Sequence, residues 1–197
     1  SSKGGLENAF TSFDYTAYYQ QWAAKNLEKS FELESDRMKN LTLNEDEFSK
    51  EINVVLEERR LRTDDNPRAL ASEIARAATF QTSPYRYPII GWEADIKGMS
   101  VDDLKDWYAK WYSPNNATLV VVGDVVAADV YNLAEKHFKK LSPASLPVIK
   151  QRPEVGQKGL KRVSVFSDKA RVPLVILSYK VPSLPYVLVT GGKLSEV

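Results

Sequence analysis

Two glutamates in one helix-forming segment have the residue type and the spacing of a cation site. Glu51 and Glu58 are seven positions apart, and at about 100° per residue they fall on nearly the same side of a helix. They border an apolar face, where carboxylates are costly unless a positive group meets them. A metal ion or an arginine could be that group.

A simpler interpretation of the same residues is a salt bridge. Glu58 can pair with Arg62 at i, i+4, and the run Glu57–Arg60 is typical of a solvated helix face. Composition alone favours this interpretation over a metal site. Both remain open at this point.

The segment Asn8-Ala9-Phe10-Thr11-Ser12 is the second candidate. Its residues favour a strand, and a strand at the edge of a sheet presents free N–H and C=O groups that bind an extended peptide by strand addition. The alternative is an ordinary interior strand, which the residues alone favour. Strand addition is therefore a hypothesis about this segment.

Several other chemistries are excluded by residue counts. The chain has 197 residues, no cysteine and one histidine, His137, so it offers neither a thiolate zinc site nor a cysteine nucleophile. His137 borders an apolar stripe late in a helix, which favours a structural role. The net charge of +1 gives no basic field for nucleic acid, and no apolar run is long enough to cross a membrane.

The periodicity of apolar residues predicts the elements that position these candidates. The order of elements predicts an α+β fold, a mostly antiparallel sheet with helices packed on one face. The predicted helices lie at about 25–41, 45–62, 67–80, 101–112 and 127–140, and the predicted strands at Leu6–Ser12, Ala17–Gln21, Ala117–Val122, Arg162–Phe166 and Val172–Tyr179.

The predicted domain organisation has three segments. Residues 1–98 form a first part that lacks its start, and residues 99–150 add a strand and a helix that complete the first unit. A proline-rich linker, 142–159, leads into residues 151–197, which begin a second unit. The sequence ends without a closing element, so we expect this second unit to be truncated.

The ordered motifs resemble the pitrilysin-type zinc peptidases of family M16, which include pitrilysin, insulin-degrading enzyme and the mitochondrial processing peptidase. The resemblance extends to about Pro182 and is strongest to bacterial members. It rests on Gly4-Gly5, Asn8–Ser12, Asp14-Tyr15-Thr16, Tyr18-Tyr19, Glu34-x-Asp36-Arg37-Met38-x-Asn40-Leu41, Glu51-x6-Glu58-Arg59-Arg60, Asp95-Ile96, Pro114–Ala117 and Val122–Val125.

The resemblance implies a role for each candidate. In the family a His-x-x-Glu-His motif supplies two zinc ligands and the general base. By position, Glu58 resembles the third zinc ligand and Glu51 the supporting carboxylate. Asn8 and Ala9, with Phe10 and Thr11, resemble the edge strand that holds the substrate. A zinc ion with three protein ligands keeps a position for water, whose pKa falls to about 7.

The chain departs from the family by lacking His-x-x-Glu-His. We therefore expect it to be part of a zinc-dependent endopeptidase that binds no zinc and cleaves nothing by itself. The expected partners are a peptide substrate and a second M16-like half or subunit, without nucleic acid. The alternative is a non-catalytic subunit that only builds the chamber. The bacterial resemblance gives a weak preference for the periplasm or cell envelope.

Overall fold

The computed structural model describes residues 4–150 and 152–181. The strands and helices are segregated along the chain, as expected for an α+β fold, with one antiparallel hairpin followed by a series of helices. They are β1 (Leu6–Thr11), β2 (Thr16–Gln21), α1 (Leu27–Asn40), α2 (Glu45–Arg59), a π-helical turn (Arg60–Asp64), α3 (Pro67–Thr79), α4 (Glu93–Gly98), α5 (Val101–Trp111) and α6 (Ala127–Phe138), with 3-10 turns at Ala24–Asn26, Pro84–Arg86 and Pro114–Asn116.

The predicted hairpin is confirmed. β1 and β2 pair antiparallel from Leu6 opposite Gln21 to Thr11 opposite Thr16. The N–H of Ser12 donates to the carbonyl oxygen of Tyr15 at 2.8 Å and closes the turn. The register therefore follows from a tight turn between two segments rich in Phe, Thr and Tyr, as expected from their β-propensity.

The predicted helices are confirmed, and polar side chains fix where three of them begin. Asn44 accepts from the Glu47 N–H at 2.9 Å at the start of α2, and Asn66 accepts from the Arg68 and Ala69 N–H groups at the start of α3. Ser100 and Asp103 form a reciprocal capping box for α5. These contacts satisfy N–H groups that a helix leaves unpaired at its first turn.

The described residues form two compact units. Unit 1 comprises residues 4–57 and 89–150, and unit 2 comprises residues 58–88 and 152–181. In unit 1 the side chain of Phe31 on α1 is buried and packs edge-on against Phe138 of α6, with ring centres 6.2 Å apart. In unit 2 a buried arginine at the end of α2 pairs with Glu73 of α3. No helix in the described part of the chain is long and apolar enough to span a membrane.

Three of the predicted strands are wrong. Ala117–Val122, Arg162–Phe166 and Val172–Tyr179 have no strand assignment, and the sheet within 4–150 and 152–181 consists of β1 and β2 alone. A strand needs a neighbour for its N–H and C=O groups, and the described residues provide none. The side chains of Val120 and Val122 are accordingly 75% and 91% exposed. Apolar composition predicted burial that these residues do not have.

The predicted division at residues 98 and 150 stays a prediction. Its last segment, 151–197, falls partly outside the described residues, because 151 and 182–197 are not among them.

Candidate functional site

β1 has one paired edge and, among the described residues, one free edge. The Ser12–Tyr15 hydrogen bond sets the phase of the ladder, because hydrogen-bonded and non-hydrogen-bonded pairs alternate in an antiparallel hairpin. The N–H and C=O groups of Leu6, Asn8 and Phe10 therefore point toward β2. Those of Glu7, Ala9 and Thr11 point away from it, toward the free edge.

Two side-chain contacts agree with this phase. The Oγ1 atoms of Thr11 and Thr16 lie 3.2 Å apart, as expected for a non-hydrogen-bonded pair, whose side chains approach more closely. The N–H of Ala9 donates to Oδ1 of Asn8 at 2.8 Å rather than to β2. The side-chain amide of Asn8 thus occupies one donor of the free edge.

The face of β1 that carries Asn8 is open to solvent. The large apolar side chains of Leu6 and Phe10 lie on it and are exposed. Phe10 has edge-on contact with Tyr15 at 5.8 Å and a tilted contact with Tyr19 at 6.4 Å between ring centres. The predicted substrate residues Asn8 to Thr11 therefore lie on one exposed strand whose second edge is unpaired within residues 4–150 and 152–181, which is the arrangement that strand addition requires.

The two candidate carboxylates both lie on α2, with Glu51 exposed and Glu58 half-buried. Nη1 of Arg62 lies 2.6 Å from Oε1 of Glu58, so the salt bridge that the spacing predicts is present. The Arg62 side chain is 76% exposed, and a pair this open to water adds only about 0–1 kcal/mol to stability.

A buried ion pair fixes the end of α2 directly beside Glu58. Nη2 and Nη1 of Arg59 donate to the two carboxylate oxygens of Glu73 at 2.8 and 3.0 Å. The two side chains are 6% and 9% exposed. From Arg60 the helix widens into the π-helical turn, in which the N–H of Asp65 donates to the carbonyl oxygen of Arg60. Short π-helical segments occur frequently at functional sites.

The residues of this chain fit a zinc ion only in part. A carboxylate is a normal zinc ligand, but a protein site needs at least three ligands. Within the described residues no group of three or more His, Cys, Asp or Glu side chains is placed to hold a metal. Glu58 is thus a single candidate ligand, and the described residues do not complete a zinc site around it.

His137 has a structural environment. Its Nε2 lies 3.1 Å from Oε1 of Glu28, the ring is 6.4 Å from that of Phe31, and the side chain is 13% exposed. The carboxylate of Glu28 is also bonded by Lys136, and this bond, with the one from His137, lowers the pKa of Glu28. His137 joins the end of α6 to the start of α1.

The sequence did not predict a set of hydrogen bonds in unit 2 that binds the carboxylate of Glu154. The carboxylate of Glu154 accepts from the backbone N–H groups of Gln81, Thr82 and Ser83 and from Nζ of Lys180 at 2.6 Å. The bond from Lys180 comes first among the causes that lower the pKa of Glu154. No local pattern indicates this contact, because the two segments are over 70 residues apart.

Sequence reasoning also missed a cluster around Tyr18 on β2, which joins Arg37 of α1 to Tyr108 of α5 and to Tyr112, the residue after α5. Arg37 belongs to the Glu-x-Asp-Arg-Met motif, so a signal was present. The sequence did not indicate which aromatic residue the arginine would meet.

Two family models together match nearly the whole chain. The model described as Insulinase (Peptidase family M16) matches residues 1–93, and the model described as Peptidase M16 inactive domain matches residues 98–191. The chain belongs to peptidase family M16. This confirms the resemblance that the motifs predicted.

Proteins similar to this M16 chain include zinc proteases and a subunit of the cytochrome b-c1 complex. Zinc protease PqqE of Helicobacter pylori is 38% identical over 186 residues, covering 93% of this chain and 42% of that protein. The cytochrome b-c1 complex subunit 1 of Bos taurus is 29% identical over 141 residues, covering 72% and 29%. A solved protease structure from Helicobacter pylori is 38% identical, with a TM-score of 0.73 over 78% of this chain and 38% of that one.

These matches confirm the α+β fold. They also show that the M16 chain is peptidase-like and that its family includes proteins named zinc proteases. The chain spans about two fifths of the length of the Helicobacter pylori protease sequence and of the Helicobacter pylori protease structure that it matches. The roles of Glu51, Glu58, Asn8, Ala9, Phe10 and Thr11 stay predictions.

Proposed function

We propose that this chain is part of a zinc-dependent endopeptidase in which β1 holds the substrate backbone and Glu58 supplies the third zinc ligand. The observation that carries the proposal is the edge of β1 that no other described residue pairs with, where the N–H and C=O groups of Ala9 and Thr11 are directed outward. The other zinc ligands and the general base come from a His-x-x-Glu-His motif elsewhere in the full-length protein.

β1 would bind a peptide by main-chain hydrogen bonds, so its selectivity for side chains is loose. An incoming strand replaces the Asn8 amide at the N–H of Ala9 and adds bonds at Thr11. The released Asn8 side chain lies on the open face, beside Phe10. There it can donate to a carbonyl group of the peptide, while the ring of Phe10 covers an apolar side chain of the substrate.

Glu58 would give up Arg62 when it binds the cation. The ion pair is exposed, so exchanging Arg62 for a divalent ion costs little. When bound, the zinc ion would polarise the scissile carbonyl and lower the pKa of a water to about 7. The Arg59–Glu73 pair joins the end of α2 to α3 and would hold in place the backbone that carries Glu58. Glu51, about two helical turns earlier, would orient the ligands from behind.

The test is a set of three substitutions in the full-length protein. Glu58→Gln is expected to abolish zinc-dependent cleavage of a fluorogenic peptide and to lower zinc content, because a neutral amide is a poor ligand. Glu51→Gln is expected to keep most of the zinc and to lose about 10–100-fold in activity. Both zinc content and cleavage rate are measured.

Glu57→Gln is the matched control. Glu57 has the same side chain on the same helix, but it points about 100° away from Glu58. We expect this variant to match the wild type in zinc content and rate. Full zinc and activity in Glu58→Gln, or equal damage from Glu57→Gln, would refute the assignment.

The alternative is a non-catalytic subunit that builds the chamber of a two-part M16 assembly. It is favoured by the Glu58–Arg62 pair, in which the carboxylate already has a positive partner, and by the similarity to a subunit of the cytochrome b-c1 complex. A wild-type protein that neither binds zinc nor cleaves peptide, with all three variants silent, would support this alternative. In either function the partner is a second M16-like half or subunit.

A further inference from the structure

The face of β2 that is turned toward the helices carries Tyr18, directly opposite Ala9 in the hairpin. The hydroxyl group of Tyr18 is 2.9 Å from that of Tyr112, at the end of α5. The guanidinium carbon of Arg37, on α1, is 3.6 Å from the centre of the Tyr18 ring. Two helices therefore hold one side chain of the hairpin, one at its ring and the other at its hydroxyl.

The same two helices are joined to each other behind Tyr18. The hydroxyl of Tyr108 donates to the backbone carbonyl oxygen of Arg37 at 2.7 Å. The rings of Tyr108 and Tyr112 are stacked, with centres 4.2 Å apart and planes 14° from parallel. We call Tyr18, Arg37, Tyr108 and Tyr112 the tyrosine clamp.

Two further features support the clamp, a second link between β2 and α1 and the protonation state of two of its tyrosines. Glu34 binds the Arg37 guanidinium and also accepts from Nε2 of Gln20 at 2.8 Å, which ties β2 to α1 a second time. Burial raises the pKa of Tyr18 and Tyr108, and the hydrogen bond to Tyr112 adds to the shift of Tyr18. Both phenols therefore stay protonated through the neutral and mildly alkaline range.

We propose that the tyrosine clamp is a positioning device that sets the free edge of β1 for the peptide. Within unit 1 the clamp acts at the pair Ala9–Tyr18, and Ala9 is the residue whose N–H and C=O groups point outward at the middle of β1. Strand addition needs these groups at a fixed place, since hydrogen bonds weaken steeply with misalignment. This inference rests on the proposed function of β1.

The clamp residues touch the hairpin and the helices, and β1 alone is proposed to touch the substrate. Loosening the clamp should therefore raise KM for peptides long enough to pair with β1 and leave zinc content unchanged. A displacement of about 1 Å can cost as much as 100-fold in rate when it misplaces a reacting group. For a strand that binds the substrate but does not itself react, we expect a smaller effect, a rise in KM of about 10-fold.

The test uses Tyr112→Phe and Arg37→Met in the full-length protein. Tyr112→Phe removes one hydroxyl and keeps the stacked ring, so it preserves the packing of α5. Arg37→Met removes the cation over Tyr18, and Arg37→Lys restores a cation that can sit on an aromatic face. kcat and KM are measured on a long peptide and on a short one that cannot reach β1, with zinc content measured in parallel.

The matched control is Arg86→Met. Arg86 also lies over a tyrosine ring, that of Tyr87 at 5.7 Å, but in unit 2 and with no part in the clamp. We expect the control to keep the wild-type KM for both peptides.

The proposal is supported if both clamp variants raise KM for the long peptide alone, with kcat and zinc retained, and if Arg37→Lys recovers most of the loss. It is overturned if the wild type cleaves and the clamp variants keep its KM for the long peptide, or if kcat and zinc content fall in the clamp variants, which would mark a purely structural role. A wild type without any cleavage would overturn the proposed function itself, and the clamp's positioning role with it.

Discussion

We expect removal of the Glu73 carboxylate to be among the costly single substitutions in unit 2. Glu73 receives two hydrogen bonds from Arg59, at 2.8 and 3.0 Å, and both side chains are more than nine-tenths buried. Glu73→Leu leaves the Arg59 charge in a buried site. Breaking such a pair from one side typically costs about 3–5 kcal/mol, because the remaining charge has lost both water and partner.

The structure places the expected cost at the lower end of that range. Oδ1 of Asp64 lies 3.3 Å from Nη2 of Arg59 and remains as a second acceptor after Glu73 is replaced. We therefore expect Glu73→Leu to lower the free energy of unfolding by about 3 kcal/mol. Arg59→Met should cost a similar amount, since it strands the Glu73 carboxylate in turn.

The double variant Arg59→Met/Glu73→Leu separates charge from packing. With both ions gone, apolar side chains of similar volume fill the site, and we expect stability within about 1 kcal/mol of the wild type. Urea unfolding gives the free energies. It is followed by far-ultraviolet circular dichroism, because all four tryptophans lie in unit 1 and their fluorescence would not report on unit 2. Arg62→Met is the control, because its pair with Glu58 is exposed and its loss should cost less than about 1 kcal/mol. A double variant that loses the sum of the two single costs would refute the reasoning.

Three further predictions concern packing, capping and pH. Phe31→Ala should destabilise unit 1 by about 3–5 kcal/mol in thermal unfolding followed by tryptophan fluorescence, because the ring is 3% exposed and fills the α1–α6 contact. Asn66→Ala should cost about 1 kcal/mol in urea unfolding, through loss of two N-cap hydrogen bonds at α3. The pKa of Glu154 is lower in the folded chain than in the unfolded chain. The ionised carboxylate therefore contributes fully to folding stability above the ordinary glutamate pKa of about 4.3, and this contribution is lost as pH falls through the lower folded pKa. Amide exchange at Thr82 should therefore be slower in the wild type than in Glu154→Gln at neutral pH, and the difference should disappear in acid.

Local signals predicted the local structure. The hairpin followed from β-formers on both sides of a short polar turn, and Ser100 with Asp103 marked the start of α5 as a capping pair does. These features depend on residues a few positions apart, which a single sequence displays directly. The candidate edge strand and the two α2 carboxylates were found in the same way, by residue type and spacing.

Contacts between distant segments could not be predicted from the same patterns. Apolar character predicted a paired strand at Ala117–Val122, yet pairing depends on a neighbour that no local pattern specifies. The run of charged residues Glu57–Arg60 indicated a solvated helix face. The guanidinium of Arg59 is instead buried against Glu73, 14 residues further along the chain. For β1, the residues alone favoured an interior strand and left the edge strand as a hypothesis, and the direction of each N–H group depended on the Ser12–Tyr15 bond that sets the ladder phase.

The Asn8 contact at the edge of β1 has a consequence for self-association of this protein. Any strand that pairs with the N–H of Ala9 first breaks its bond to Asn8, at a net cost of about 0.5–1.5 kcal/mol. A foreign peptide breaks one such bond, whereas two copies meeting edge to edge break two, one in each β1. The Asn8 amide thus opposes edge-to-edge pairing of two copies of this exposed strand twice as strongly as it opposes the binding of one foreign peptide.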